Sequence, residues 1–256
     1  MTSRSFDERY ERCDTAQRDN LTPEALRTDE GYEAISYCWG SSRRTHTLHI
    51  ESGGELGITE SLSGALQRFR YGDKSRVLWA DAVCIDQENA VEKATQVAAM
   101  HLIYTGADMV LVWLGPEKPQ DALAFTLMDL YDIRTVSRSK WSDDDILIDL
   151  DKKLQSASSC VCCRCAFSTT ALRTARAGLL ALADLLTRPW FTRMWVVQEV
   201  DHRASIGRIF SGRHSAPITD FIMAIYFLND CMSANLLGMS QKAMLITRET
   251  IAQIGH

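Results

Sequence analysis

Side chains equipped for chemistry gather in three short stretches of this chain. Tyr32-Glu-Ala-Ile-Ser-Tyr-Cys-Trp-Gly40 ends in Ser36, Tyr37, Trp39 and Gly40. Leu78-Trp-Ala-Asp-Ala-Val-Cys-Ile-Asp-Gln87 supplies Asp81, Asp86 and Gln87. Arg188-Pro-Trp-Phe-Thr-Arg-Met-Trp-Val-Val-Gln-Glu-Val200 supplies Arg193, Trp195, Gln198 and Glu199. The set combines carboxylates, amides and indoles. Indoles such as Trp39 and Trp195 can stack on flat rings. Asp81, Asp86 and Gln87 can hold sugar hydroxyls or a polar ring edge. A fixed carboxylate can also stabilise positive charge growing at a sugar carbon as its bond breaks.

Other chemistries lack their parts. No Gly-x-Ser-x-Gly elbow, P-loop or Gly-x-Gly-x-x-Gly fingerprint is present. His202 and His214 are too isolated to define a triad, and no His and carboxylate spacing suits a metal. Cys160, Cys162, Cys163 and Cys165 crowd together without the second, separated pair that a structural zinc site uses, so they read as free thiols in a loop. Cys38 and Cys84, inside apolar runs, read as small buried hydrophobes.

Each candidate also has a structural reading. Asp81 within an apolar run is costly to bury unpaired, and a bond to Arg193 or to backbone N–H groups would offset that cost. Asp86 and Gln87 suit a turn that caps the next helix. Trp39 and Trp195 suit rim packing as well as stacking, and Glu199 suits a network with Arg193 and Gln198. Glu92 and Lys93 read as a solvated helix face, and His101 as a core histidine.

The elements that must position these groups follow from hydrophobic patterning. Ala34 to Tyr37 reads as a central strand, and Thr45–Ile50 alternates like a hairpin arm before the turn at Gly53-Gly54. Leu62, Ala65, Leu66 and Phe69 mark one helical face. Val77 to Ile85 reads as a strand covered on both faces, interrupted only by Asp81. A helix is expected over Ala90–Thr105, with Val97, Met100, His101 and Tyr104 inward. Met109–Leu114 reads as a buried strand stopped by Gly115-Pro116. Asp121–Tyr131 and Ala177–Leu186 read as helices, with Pro189 ending the second. Met194–Asp201 fits strand or helix. Ile206–Phe210 reads as a strand, Gly212 as a turn, and Ile218, Phe221, Ile222 and Ile225 as a helical face. This alternation implies an α/β fold, a mostly parallel sheet with helices on both faces. In such sheets ligands bind outside the carboxyl ends of the strands, where the three stretches end.

The 256 residues are 46% hydrophobic and 24% charged, which is ordinary for a globular protein. A net charge of −5 without a basic stripe argues against a nucleic-acid partner. No apolar run approaches the ~20 residues that cross a bilayer, and the N-terminus lacks the apolar centre of a secretory signal. The expected location is therefore cytoplasmic, with no membrane partner and with the eight cysteines reduced. Residues 1–29 read as a lead-in, 30–230 as one domain with an exposed insertion at 132–170, and 231–256 as a helical tail.

Together the three stretches resemble the HET domain, the heterokaryon-incompatibility module of filamentous fungi. The hallmarks stand here as Ser36-Tyr37-Cys38-Trp39-Gly40, then Trp79-Ala-Asp81-Ala-Val-Cys84-Ile85-Asp86-Gln87 with Glu92-Lys93 and Gln96-Val97, then Arg193-Met-Trp195-Val-Val-Gln198-Glu199. The insertion has no counterpart in that pattern. The resemblance implies a TIR-like, flavodoxin-like sandwich used in cell-death signalling. Several TIR domains cleave NAD+ at the nicotinamide–ribose bond with a helical glutamate in a Trp-Cys-x-x-Glu-Leu pattern. Trp195-Val-Val-Gln-Glu199-Val200 keeps that spacing. By that analogy Glu199 is the catalytic carboxylate, NAD+ the substrate rather than a resident cofactor, and Ser36-Tyr37 ends the first strand where the site opens. Nicotinamide leaves as a neutral ring, so one glutamate could suffice. Two readings of other classes stand beside this one. The domain could be a non-enzymatic module that self-associates into a homo-oligomer, or a stand-alone enzyme acting on another small metabolite.

Overall fold

The computed structural model describes residues 31–50, 53–130, 171–193 and 207–233. The described residues fall into two compact units. One holds those up to Pro116 together with Arg193–Phe210, the other those from Glu117 to Thr192 and from Ser211 onward.

The first unit is built on parallel strands. β1 (Glu33–Tyr37) is buried along nearly its whole length. It pairs on one side with β4 (Leu78–Trp79), through Glu33↔Leu78 and Ala34↔Trp79. On its other side it pairs with β5 (Met109–Trp113), from Glu33↔Met109 to Tyr37↔Trp113. β5 in turn pairs with β6 (Arg208–Ser211), Leu111 opposite Arg208. These three pairings are all parallel, so the four carboxyl ends lie along one edge. Counted in chain order, the parallel strands stand second, first, third, fourth, which is the flavodoxin-type arrangement. The order reverses around β1, and a crevice opens at the carboxyl end of a strand placed at such a reversal.

Between β1 and β4 the chain makes a hairpin, β2 (Arg44–Ile50) antiparallel to β3 (Gly54–Thr59), and then α1 (Glu60–Phe69). The Thr59 hydroxyl caps α1 by accepting the Leu62 N–H. Leu62, Ala65, Leu66 and Phe69 are all buried, as their spacing predicts, and pack with Ile35, Tyr37, Leu111, Trp113 and Phe210. Phe69 meets Trp113 and Phe210 edge to face. Arg76 ties this core to the strand's start by bonding the Glu33 carboxylate and the Phe69 carbonyl.

Four expectations are corrected here. The apolar run at 77–85 is not one strand: β4 is two residues long, and Asp81–Cys84 forms the one-turn helix α2. The Asp81 carboxylate accepts the Ala82 N–H, which favours turning over extension at that point. The helix expected over 90–105 is two helices, α3 (Ala90–Ala98) and α4 (Met100–Gly106), broken at Ala99. Because of that break Met100, Ile103 and Tyr104 face inward while His101 is exposed and Val97 only half-buried. His101 is therefore no core histidine. Cys38 and Cys84 are half-buried rather than fully enclosed, and neither is in a disulfide.

The second unit packs α5 (Asp121–Leu130), α6 (Ala171–Leu185), a 3-10 turn at Pro189–Thr192, β7 (His214–Pro217) and α7 (Ile218–Ser233) around its own core. α6 begins earlier than the pattern indicated, and β7 carried no sequence expectation. Leu127, Leu179, Leu182, Phe191, Phe221, Ile225 and Leu228 are enclosed there, and Phe191 stacks on Phe221. Asp121 is completely buried. Its Oδ2 accepts from the Lys118 N–H at 2.9 Å, from Arg188 Nη2 at 2.6 Å and from the Ser211 hydroxyl at 2.5 Å. The node joins the start of α5, the segment after α6 and Ser211, the last residue of β6. The lead-in, the 132–170 insertion with its cysteine cluster and most of the C-terminal tail lie outside the described residues.

Candidate functional site

The carboxyl edge around β1 collects the described residues of the first two stretches. β1 delivers Tyr37 and Trp39 to the edge, and the end of β4 delivers Asp81. Trp39 donates its indole N–H to Asp81 Oδ2 at 2.9 Å, across 42 positions of sequence. The other carboxylate oxygen takes the Ala82 N–H at 2.8 Å. The Gln87 side-chain amide reaches back to the Asp81 carbonyl at 2.9 Å and the Ile85 carbonyl at 3.3 Å, holding the one-turn helix closed.

The electrostatics follow from burial. Tyr37 is buried, and its hydroxyl has no hydrogen bond of ordinary geometry among the described residues. The Asp81 carboxylate is near enough to act on it: burial first, then that negative charge, pushes the Tyr37 pKa far up, so the phenol stays neutral. Burial likewise raises the Asp81 pKa. Trp39, Tyr37, the field of Arg193 and the Ala82 N–H oppose the rise without cancelling it. The expected Arg193–Asp81 relation is thus present as an electrostatic influence, while Trp39 and the Ala82 backbone supply the hydrogen bonds.

The remaining candidates divide. Ser36 is wholly buried inside β1, opposite Val112 of β5. Gly40 is exposed at φ +68°, and an added Cβ would meet nothing within 4 Å. It therefore serves the backbone turn after Trp39. The exposed Asp86 accepts the Glu88 N–H on its own carboxylate and donates its N–H to Glu92 Oε1. Asn89, not Asp86 or Gln87, caps α3 by accepting the Val91 and Glu92 N–H groups. Trp195, Gln198 and Glu199 lie outside the described residues. One supporting residue was missed: Ser61, in the first turn of α1, donates its hydroxyl to the Cys38 carbonyl at 2.7 Å and pins the loop carrying Trp39. Only its place just after a cap residue hinted at it. Among the described residues no group of three His, Cys, Asp or Glu side chains is placed to hold a metal ion. Nor is any helix among them long and apolar enough to cross a membrane.

A flavodoxin-type strand order, with aromatic and acidic residues at its reversal point, defines an α/β protein with a mostly parallel sheet. The chain belongs to the heterokaryon incompatibility protein (HET) family, whose sequence pattern matches residues 32–199. It is 28% identical, over 225 residues, to heterokaryon incompatibility protein 6, OR allele, of Neurospora crassa. That alignment covers 78% of this chain and 32% of the relative, so the chain spans about a third of the length of the relative it matches. No solved structure matches it.

Proposed function

We propose that this HET domain acts in fungal incompatibility as a TIR-like module that binds NAD+ or a related nucleotide and hydrolyses it at the nicotinamide–ribose bond, with Glu199 as the catalytic carboxylate. The observation that carries the binding half is the cluster of Trp39, Asp81 and Tyr37 at the carboxyl edge of β1, fixed from behind by Gln87 and Ser61. An aromatic surface beside carboxylate and phenol suits a flat ring attached to a sugar. The catalytic half rests on the Trp195-to-Glu199 spacing. A carboxylate near the anomeric carbon would stabilise the oxocarbenium-like charge that develops as nicotinamide departs.

The deciding experiment incubates purified protein with NAD+ and follows nicotinamide by chromatography, with Glu199→Ala alongside. Release by the wild type and none by the folded variant is the expected result. Undiminished release by the variant would remove Glu199 from the chemistry.

A non-enzymatic, self-associating module is favoured by a different observation. α3 has no buried residue, and its Val91 is 78% exposed. Light scattering across a wide protein concentration range would reveal such association. A monomer throughout would eliminate this reading.

A further inference from the structure

Trp39 stands two residues past the buried end of β1, yet it is 37% exposed. Its only polar atom, the indole N–H, is committed to Asp81 Oδ2. What Trp39 offers to solvent is therefore aromatic carbon. The partner is itself immobilised, one oxygen on the Ala82 N–H and the adjoining carbonyl on Gln87. A hydrogen bond from the indole to an anion also shifts electron density into the ring and deepens its negative face. Such a face attracts cations, and Trp does so best among the aromatic residues. The Asp81 charge beneath is incompletely compensated. Its pKa stays raised by burial even with Trp39, Tyr37, Arg193 and the Ala82 N–H acting to lower it. Additional positive charge nearby would relieve that cost.

We propose that Trp39 and Asp81 together form a subsite for a flat aromatic cation of the N-alkylpyridinium type, the indole receiving the ring and the carboxylate its charge. The inference rests on the reading that this edge holds a ligand, and it specifies which part goes where. In a nicotinamide dinucleotide the oxidised ring is a pyridinium, whereas the reduced ring and the adenine are neutral. The subsite therefore selects the oxidised form and places its nicotinamide end against Trp39. Tyr37, kept neutral, adds no competing charge beside Asp81.

The test titrates the whole chain calorimetrically with 1-methylnicotinamide and with nicotinamide, rings of nearly equal size of which only the first is a cation. The cation is expected to bind about tenfold more tightly. Trp39→Leu should remove most of that affinity. Asp81→Asn, whose amide oxygen still accepts the indole N–H, should bring the two ligands level. Equal affinities in the wild type overturn the proposal, as does a preference that survives in Asp81→Asn. Nicotinamide release from NAD+, measured in parallel, separates the two failures. Hydrolysis without a preference for the cation overturns the subsite alone, whereas no ring binding and no hydrolysis overturn the ligand reading with it.

Discussion

Asp81 shows how one residue links stability to pH. Its folded pKa lies above the ordinary aspartate value of 3.8, so ionising it costs folding free energy. The cost is absent below the ordinary value, grows as pH rises from there through the raised folded value, and is constant above it. Asp81→Asn should therefore gain melting temperature relative to the wild type across that window, with a steady advantage at neutral pH. Thermal melts from pH 3 upward would check this, and a variant equally destabilised at every pH would refute it. Tyr37 makes a complementary prediction. A buried hydroxyl without an ordinary partner contributes little, so Tyr37→Phe should change unfolding free energy by less than about 1 kcal/mol. Lost ligand binding in that stable variant would assign the phenol to function. Residue types at this edge were legible in the sequence, since indoles and acids at a strand end serve a plain core poorly. Their partners were not. The bond from Trp39 to Asp81 spans two elements, and the backward reach of Gln87 depends on a one-turn helix that apolar patterning does not reveal.

At the level of elements, the errors share a physical cause. An unbroken apolar run is compatible with a buried strand and with a strand followed by a helical turn, so periodicity cannot place the end of β4 at Trp79. The helix break at Ala99 likewise leaves no trace in composition, yet it turns His101 outward and Ile103 inward. Where the period was clear, as in α1, the four expected residues are all buried, with Ser63 beside them. The second unit depends on two features that sequence spacing did not expose. Gly212, at φ +51°, lies so close to Glu117 that an added Cβ would stand 2.5 Å from the Glu117 Cβ and 2.7 Å from its N atom. Gly212→Ala should cost on the order of 1–3 kcal/mol from strain and overlap together, read by urea unfolding. Arg188→Ala should cost about 3–5 kcal/mol, because it leaves the fully buried Asp121 carboxylate without its cation. A loss below 1 kcal/mol in the same measurement would show that Ser211 and the Lys118 N–H hold Asp121 without it.

For the molecule as a whole, the alternation of strand and helix announced a parallel α/β sheet, but not the order of its strands. That order depends on pairings between distant segments, and no local pattern records them. Family membership adds the three blocks as a unit, while the match to only 32% of the Neurospora protein leaves the activity of a longer relative a separate matter. The pairing of β5 with β6 has a consequence for biosynthesis. Leu111 finds Arg208 only after the whole intervening chain has been made. Until the ribosome passes residue 211, a nascent chain would present an apolar strand with a bare backbone edge, the surface on which other chains add strands. A version ending before Arg208 should accordingly collect in the insoluble fraction when expressed, and one extended through Ser233, which also returns α7 to the second unit's core, should recover solubility. Cells making this protein would need to shield that edge for the time it takes to translate everything from β5 to β6.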